Sequence, residues 1–200
     1  MLSELAFPAE GQLLDVGCGT GWFTRQLAAL PNLQITGVDL DAESLAFARS
    51  HDPRSTYLPA DALALPFADA SFDYVQSIAA LCFTADWRQA VSEIVRVTRK
   101  RFAIGMLNRH SLLWLGKGRH GGGGAYRGSL WLSSDEFRAG FKGLPVENVR
   151  SRSAIYLPSG KYTARLVERL LPGCLPWGGL TVLSGNKSPM EGHAATSPAA

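Results

Sequence analysis

Leu13-Leu14-Asp15-Val16-Gly17-Cys18-Gly19-Thr20-Gly21 is the stretch on which the fold turns. Gln12 to Gly17 reads as a buried strand through Leu13, Leu14 and Val16, and it runs straight into a loop with glycine at alternate positions. A helix is expected next, from about Gly21 to Leu30. Glycines at this spacing let the backbone approach a small molecule that side chains would hold off. Crevices of this kind form at the carboxyl ends of parallel strands. The spacing is G-x-G-x-G, whereas a dinucleotide fingerprint needs G-x-G-x-x-G, and Trp22 stands where its last glycine belongs. A phosphate-binding P-loop needs Gly-Lys-Ser/Thr, which does not follow. The loop therefore suits a ligand without a pyrophosphate. Taken alone, it is equally a tight strand–helix turn with no ligand.

Reading outward, strands and helices alternate as far as residue 107, which predicts a mainly parallel sheet covered on both faces. Leu33 to Asp39 (LQITGVD) is the second strand, and Asp41 caps the helix after it because its carboxylate can accept first-turn amides. Tyr57 and Leu58 fit a short third strand and Phe72 to Ser77 (FDYVQS) a fourth. Trp87 to Val97 is helical, with Val91, Ile94 and Val95 on one face, and Phe102 to Leu107 (FAIGML) is the fifth strand. Residues 108 to 130, which include the glycines Gly121 to Gly124, read as mostly loop with one helical turn. Ser133 or Ser134 caps a helix to about Phe141. Val146 to Ser151 and Leu180 to Leu183 are late strands, and residues 186–200 are expected to form a disordered tail after a single domain over 1–185.

Two further carboxylates strengthen the ligand reading. Asp39 ends the second strand, 22 residues after Gly17, where a carboxylate can accept both hydroxyls of a ribose. Asp61, in Pro59-Ala60-Asp61-Ala62, follows the third strand and can accept from an adenine amino group. Asp15 favours a positive sulfonium or ammonium. Each alone is more often a cap, a turn residue or a solvated charge; their place at three successive strand ends is what sets them apart.

These residues resemble the motifs of class I S-adenosylmethionine-dependent methyltransferases, particularly the type-11 subgroup. LLDVGCGTGWFT resembles the first motif, GVDLDAESLAFAR the second, PADALALPFADASFDYVQS the third region, and AVSEIVRVTRK with FAIGML the helix and strand after it. The resemblance is strong over 12–107 and weak over 133–185. It implies a Rossmann-like three-layer α/β sandwich with a seven-stranded, mostly parallel sheet, its last strand, Leu180 to Leu183, antiparallel beside the fifth. It also implies S-adenosylmethionine as cofactor. Asp15, Gly17 and Gly19 would surround the methionine part, Asp39 the ribose, with Leu40 near the adenine. Asp61 and the Ala62 backbone would hold the adenine amino group, and Ser77 would lie near the methionine and methyl group.

The chain departs from that pattern in places. Only Met1 to Gly11 precede the first strand, where many relatives carry a helical segment that closes over the cofactor. Ala79-Ala80-Leu81-Cys82 stands where relatives commonly have histidines, and Lys100-Arg101 where they usually have a Gly-Gly turn. Substrate residues are expected after the fourth and fifth strands: Asn108, Arg109, His110, Trp114, Lys117, Arg119, His120, Tyr126 and Arg127. His110 or His120 is a candidate base, though such a histidine is more often a surface group in a mobile loop, and Tyr126 is a second catalytic candidate. Trp114 and Trp131 either stack on a planar or lipophilic acceptor or pack in the core, and Cys82 is either a nucleophile or an inert packed thiol.

Composition bounds the remaining choices. The chain has 200 residues, 46% hydrophobic and 18% charged, with a net charge of +3, too small by itself to imply a nucleic-acid partner. No apolar run reaches the roughly 18 to 20 residues of a membrane span, and the start lacks the pattern of a secretory signal. Cys18, Cys82 and Cys174 are odd in number and without metal-ligand spacing, so no metal site is expected and the compartment is reduced, the cytoplasm. No sequence feature specifies an oligomeric state. The function expected is methyl transfer to a small-molecule acceptor. The alternatives are an RNA or protein acceptor, suggested by the basic residues from Arg96 to Arg127, and a cofactor-binding scaffold without catalysis.

Overall fold

The computed structural model describes residues 10–30, 32–157, 173 and 175–188. Seven strands form one sheet: β1 (Gly11–Val16), β2 (Leu33–Asp39), β3 (Thr56–Pro59), β4 (Phe72–Ile78), β5 (Thr98–Leu107), β6 (Val146–Ala154) and β7 (Leu180–Lys187), in the order β3-β2-β1-β4-β5-β7-β6. β1 pairs parallel with β2 and β4, β2 with β3, and β4 with β5. β7 pairs antiparallel with both β5 and β6, so it alone is reversed. This is the α/β sandwich that the motifs imply. The chain turns outward in both directions from the β1–β4 pair, so the crevice of the topological switch point opens at the carboxyl ends of those two strands.

Sequence pattern explains which strands are central. Every residue of β4 is buried, as a strand covered on both faces must be, while β3, at one edge, buries only Tyr57. Four helices flank the sheet: α1 (Trp22–Leu27), α2 (Ala42–His51), α3 (Trp87–Val97) and α4 (Ser134–Ala139). α3 presents Trp87, Ala90, Val91, Ile94, Val95 and Val97 to the core and leaves Arg88 and Gln89 in solvent, the helical stripe read from its sequence. Asp41 caps α2 as expected, accepting from the Glu43 amide. Ser133, rather than Ser134, caps α4, and Glu136 reaches back to complete a capping box. Among the described residues no helix is long and apolar enough to cross a membrane.

Several boundaries differ from expectation. α1 ends at Leu27 rather than Leu30, with Ala28 its C-cap, and Asn32 then takes a left-handed conformation (φ 65°). β5 starts four residues early, because Arg99 and Lys100 are held at the strand by Asp73 and Arg101 pairs with Asn186; charged residues at the start of a strand conceal its pattern. β6 runs on to Ala154, a polar strand held at the sheet edge by β7. β7 continues through Asn186 and Lys187 into the expected tail, and Lys187 Nζ donates to the Val95 carbonyl at 2.6 Å. Residues 189–200, and most of Met1 to Gly11, lie outside the described residues.

The segment after β5 is more ordered than a loop. A π-helical turn, Trp114–Gly118, and short 3-10 turns, Arg119–Gly121 and Gly124–Tyr126, occupy it. Its ends meet: Leu132 donates to the Leu107 carbonyl at 2.9 Å and Arg109 to the Leu132 carbonyl at 3.0 Å. Residues 109–131 are thus a closed excursion standing on the carboxyl edge of the sheet.

Candidate active site

The glycine loop is tied to β2 at its base. Gly17 and Cys18 both donate to the Val38 carbonyl, at 2.8 and 3.0 Å, and Gly21 donates to Cys18. The two inner glycines have different reasons for being glycine. Both have left-handed backbones, φ 72° at Gly17 and 52° at Gly19, a region costly for other residues. A Cβ on Gly17 would lie 2.2 Å from the Ala80 Cβ, so that glycine lets the loop press against the turn after β4. A Cβ on Gly19 would meet nothing within 4 Å. The backbone at Gly19 thus faces open space, the cradle that a ligand's close approach requires.

Asp39 closes the loop. Its Oδ2 accepts the Gly19 amide at 2.7 Å and its Oδ1 accepts the Asp41 amide at 3.0 Å. Each carboxylate oxygen carries a second lone pair, so ribose hydroxyls and the loop amide can share it. Leu40, next in the chain, holds its side chain 71% exposed, an apolar surface beside the carboxylate. Ala60 donates to the Asp39 carbonyl, which brings the turn after β3 alongside. Within that turn Asp61 is exposed, its Oδ1 accepts the Leu63 amide at 2.9 Å, and Ala62 is half-buried beside it.

Asp15 and Ser77 lie deeper. Asp15 is 2% exposed and accepts from Thr24 Oγ1 of α1 at 2.6 Å. Burial pushes its carboxyl up to about 6, Asp39 adds to this, and Thr24 and Gln76 oppose it. Asp15 therefore fastens α1 to β1, a role its spacing did not reveal. Ser77 is fully buried near the end of β4, and its Oγ has no hydrogen-bond partner among the described residues. An orphaned buried hydroxyl, an open glycine backbone and carboxylates at the β1, β2 and β3 ends all fit a polar, partly cationic ligand with a ribose and an adenine.

A clamp from α3 holds the turn that carries Asp61, and sequence reasoning missed it. Arg96 donates to the Leu65 carbonyl at 3.0 Å and the Phe67 carbonyl at 2.8 Å, and it pairs with Glu93 and Asp69. Glu93 Oε2 in turn accepts the Leu65 amide at 2.8 Å. The only trace in the sequence is the i, i+3 spacing of Glu93 and Arg96, which marks a pair on a helix face but not the carbonyls it reaches.

The expected acceptor-side residues do not all converge. Asn108 is 1% exposed, and its amide is spent on the Pro176 and Gly178 carbonyls at 2.7 and 2.9 Å; it is a structural tie, not a substrate contact. Arg109, His110 and Trp114 line one cavity. Tyr126 does not: its ring lies 5.6 Å from that of Trp131, whose side chain is buried. Lys117, His120 and Arg127 are exposed, and Arg119 sits over the Trp114 ring. Cys82 donates to the Ala79 carbonyl, and burial pushes its thiol up to about 12, so it is an inert packed group.

A methyltransferase-domain family model matches residues 14–102. Over 99 residues the chain is 41% identical to an O-methyltransferase of Penicillium expansum, covering 46% of this chain and 36% of that protein. Over 98 residues it is 42% identical to the malonyl-[acyl-carrier protein] O-methyltransferase of Erwinia billingiae, covering 48% and 39%. The match thus spans less than half the length of either relative. A Thermotoga maritima structure described as a S-adenosylmethionine-dependent methyltransferase, possible histamine N-methyltransferase, superposes with a TM-score of 0.75 at 24% identity, over 94% of this chain and 89% of that one, and so shares the fold. Residues 14–102 thus match a methyltransferase domain, and the chain shares the fold of S-adenosylmethionine-dependent methyltransferases.

Proposed function

We propose that the protein binds S-adenosylmethionine and transfers its methyl group to a small-molecule acceptor, with oxygen as the receiving atom. The observation that carries the reading is the Asp39 carboxylate: it closes the glycine loop through the Gly19 amide while standing at the β2 end, where a ribose is held. The names of the O-methyltransferase relatives support oxygen.

In this reading Asp39 takes the ribose hydroxyls and Leu40 covers one face of the adenine. Asp61 and the Ala62 amide take the adenine's amino edge. Asp15, Gly17 and Gly19 surround the methionine portion, where the Asp15 carboxylate balances positive charge, and Ser77 Oγ gains its missing partner there. The bound cofactor supplies an activated methyl electrophile, so the protein's task is to align an acceptor oxygen and keep water out. A general base is needed only for an acceptor that arrives protonated, and His110, exposed at the cavity that Arg109 and Trp114 also line, is the candidate for that proton.

A nucleic-acid acceptor is less well supported. Several of the basic residues from Arg96 to Arg127 are paired with carboxylates: Arg96 with Glu93 and Asp69, Arg99 and Lys100 with Asp73, and Arg109 with Glu136. Cys18 and Cys82 carry no disulfide, which suits the cytoplasm.

Calorimetric titration with S-adenosylmethionine and S-adenosylhomocysteine, with NAD as control, tests the cofactor assignment, and labelled-methyl transfer to small-molecule extracts tests the reaction. Saturable binding of the first two with label incorporation is expected. Binding without transfer to any acceptor would instead establish a non-catalytic scaffold.

A further inference from the structure

A cavity of about 490 Å³ opens at the carboxyl edge of the sheet, outside the glycine-loop crevice. Leu112, Trp114 and Leu115, from the excursion after β5, form one wall, and Tyr156 and Trp177, from the segments after β6 and before β7, form another. Since β7 is reversed, the end of β6, the start of β7 and the end of β5 all lie at this edge. β5 is two strands from β1, so the cavity stands beside the cofactor crevice at about 10 Å in strand spacings. Ile155, which precedes the lining residue Tyr156, packs in the same cluster as Ile78 and Ala79 at the end of β4.

The wall chemistry is one-sided. Leu112, Leu115 and Trp177 are 53%, 50% and 61% exposed, an unusual concentration of large apolar side chains left in water at one place. The polar groups in the wall are already engaged. Ser111 Oγ donates to the Asn108 carbonyl and accepts the Trp114 amide, and Tyr156 Oη donates to the Ser153 and Leu175 carbonyls. Arg109 and His110 remain as the cationic or proton-donating groups facing the space. Arg109 meets Glu136 through one terminal nitrogen, and the guanidinium fork has further donors. Asn108 joins the walls by bonding the Pro176 and Gly178 carbonyls while accepting the His110 amide, so the cavity is preformed.

We infer that this cavity is the acceptor pocket and that the acceptor is an apolar small acid: a hydrocarbon or aromatic body with one anionic oxygen. The volume is that of a small-molecule site, and the apolar walls exclude a polar metabolite. The inference rests on the methyltransferase reading above and adds the acceptor class. Transfer to such an acceptor is balanced without a base. The anionic oxygen forms a bond to the methyl carbon, the carbon–sulfur bond breaks with its electron pair going to sulfur, and the products are a neutral methyl ester or ether and a neutral thioether.

The test uses the full chain and 8-anilinonaphthalene-1-sulfonate, an apolar probe with one anionic group, read by energy transfer from Trp114 and Trp177. Saturable binding is expected, displaced by decanoate at a concentration at least fivefold below that of decan-1-ol. Leu115→Asp, at a half-exposed position, should weaken the probe at least tenfold while S-adenosylhomocysteine binds as before; Arg109→Gln with His110→Ala should erase the difference between acid and alcohol. Labelled methyl transfer is then measured with a panel of C6 to C12 alkanoic and arylcarboxylic acids and phenols, and with malonate. Transfer to a member of the apolar set, lost in Leu115→Asp, is the expected result. No saturable probe binding, or binding indifferent to Leu115→Asp, overturns the pocket. Transfer only to malonate, or to none of the apolar set, overturns the acceptor class. Loss of S-adenosylhomocysteine binding in the unaltered chain would overturn the cofactor reading instead, so the two failures are distinguishable.

Discussion

The Gly19 amide donates to Asp39 Oδ2 across 2.7 Å, so the carboxylate proposed for the ribose also shapes the loop proposed for the methionine. A change at Asp39 therefore acts twice. Asp39→Ala should weaken S-adenosylhomocysteine binding by about 1 to 3 kcal/mol through lost charge-assisted bonds. Asp39→Asn, which keeps one acceptor oxygen, should fall between the two. Calorimetry on folded variants checks this, and unchanged affinity in Asp39→Ala would remove the ribose assignment.

Gly17 and Gly19 should fail in different ways. Gly17→Ala places a Cβ against Ala80 and is expected to lower stability by about 1 to 3 kcal/mol, and Ala80→Gly should recover the contact part in a double-mutant cycle. A Cβ at Gly19 meets nothing within 4 Å, so Gly19→Val should cost about 1 to 2 kcal/mol of stability from its backbone conformation, yet abolish cofactor binding. Chemical denaturation paired with binding separates them; a Gly17→Ala loss that Ala80→Gly leaves untouched, or cofactor binding retained in Gly19→Val, would refute the distinction.

Asp15 links stability to pH. Its carboxyl sits at about 6 in the fold against an ordinary 3.8, so the fold favours the protonated form. That contribution is fully present below about 3.8 and is lost as pH rises through about 6. Asp15→Asn should therefore gain on the order of 2 kcal/mol relative to the natural chain between pH 5 and 8, while losing cofactor affinity at pH 8, where the carboxylate is ionised. Thermal melts at the two pH values, with a binding titration at each, test this, and a pH-independent stability difference would contradict it.

Arg96 should matter to the cofactor without touching it. Arg96→Ala frees the Leu65 and Phe67 carbonyls and leaves Glu93 without its partner, and a loss of about 1 to 2 kcal/mol of stability is expected for this partly exposed network. Because the freed turn carries Asp61, binding of S-adenosylhomocysteine should weaken several-fold, and that of a cofactor analogue lacking the adenine amino group should weaken less. Equal weakening for both would show that the clamp is merely structural.

Much of this was legible in the sequence because local pattern carries it. The Leu13–Gly21 run, the alternation of strand and helix and the reversed last strand at Leu180 appear where the motifs put them. The Asp41 cap is local chemistry and is also where expected. Asp39 and Asp61 stand at strand ends, a property that strand positions alone convey.

Contacts between distant segments were not legible. Asn108 looked like a substrate residue until its amide was found bonding Pro176 and Gly178, about 70 positions away. Tyr126 and His110 looked alike in one basic loop, yet the fold packs Tyr126 on Trp131 and sets His110 at a cavity. That cavity is assembled from residues after β5, after β6 and before β7. Periodicity and capping act within a few residues and can be read along the chain, so the order and type of elements follow from the amino acids alone. Which side chains face the same space depends on how strands far apart in sequence lie side by side, and only the tertiary structure decides that.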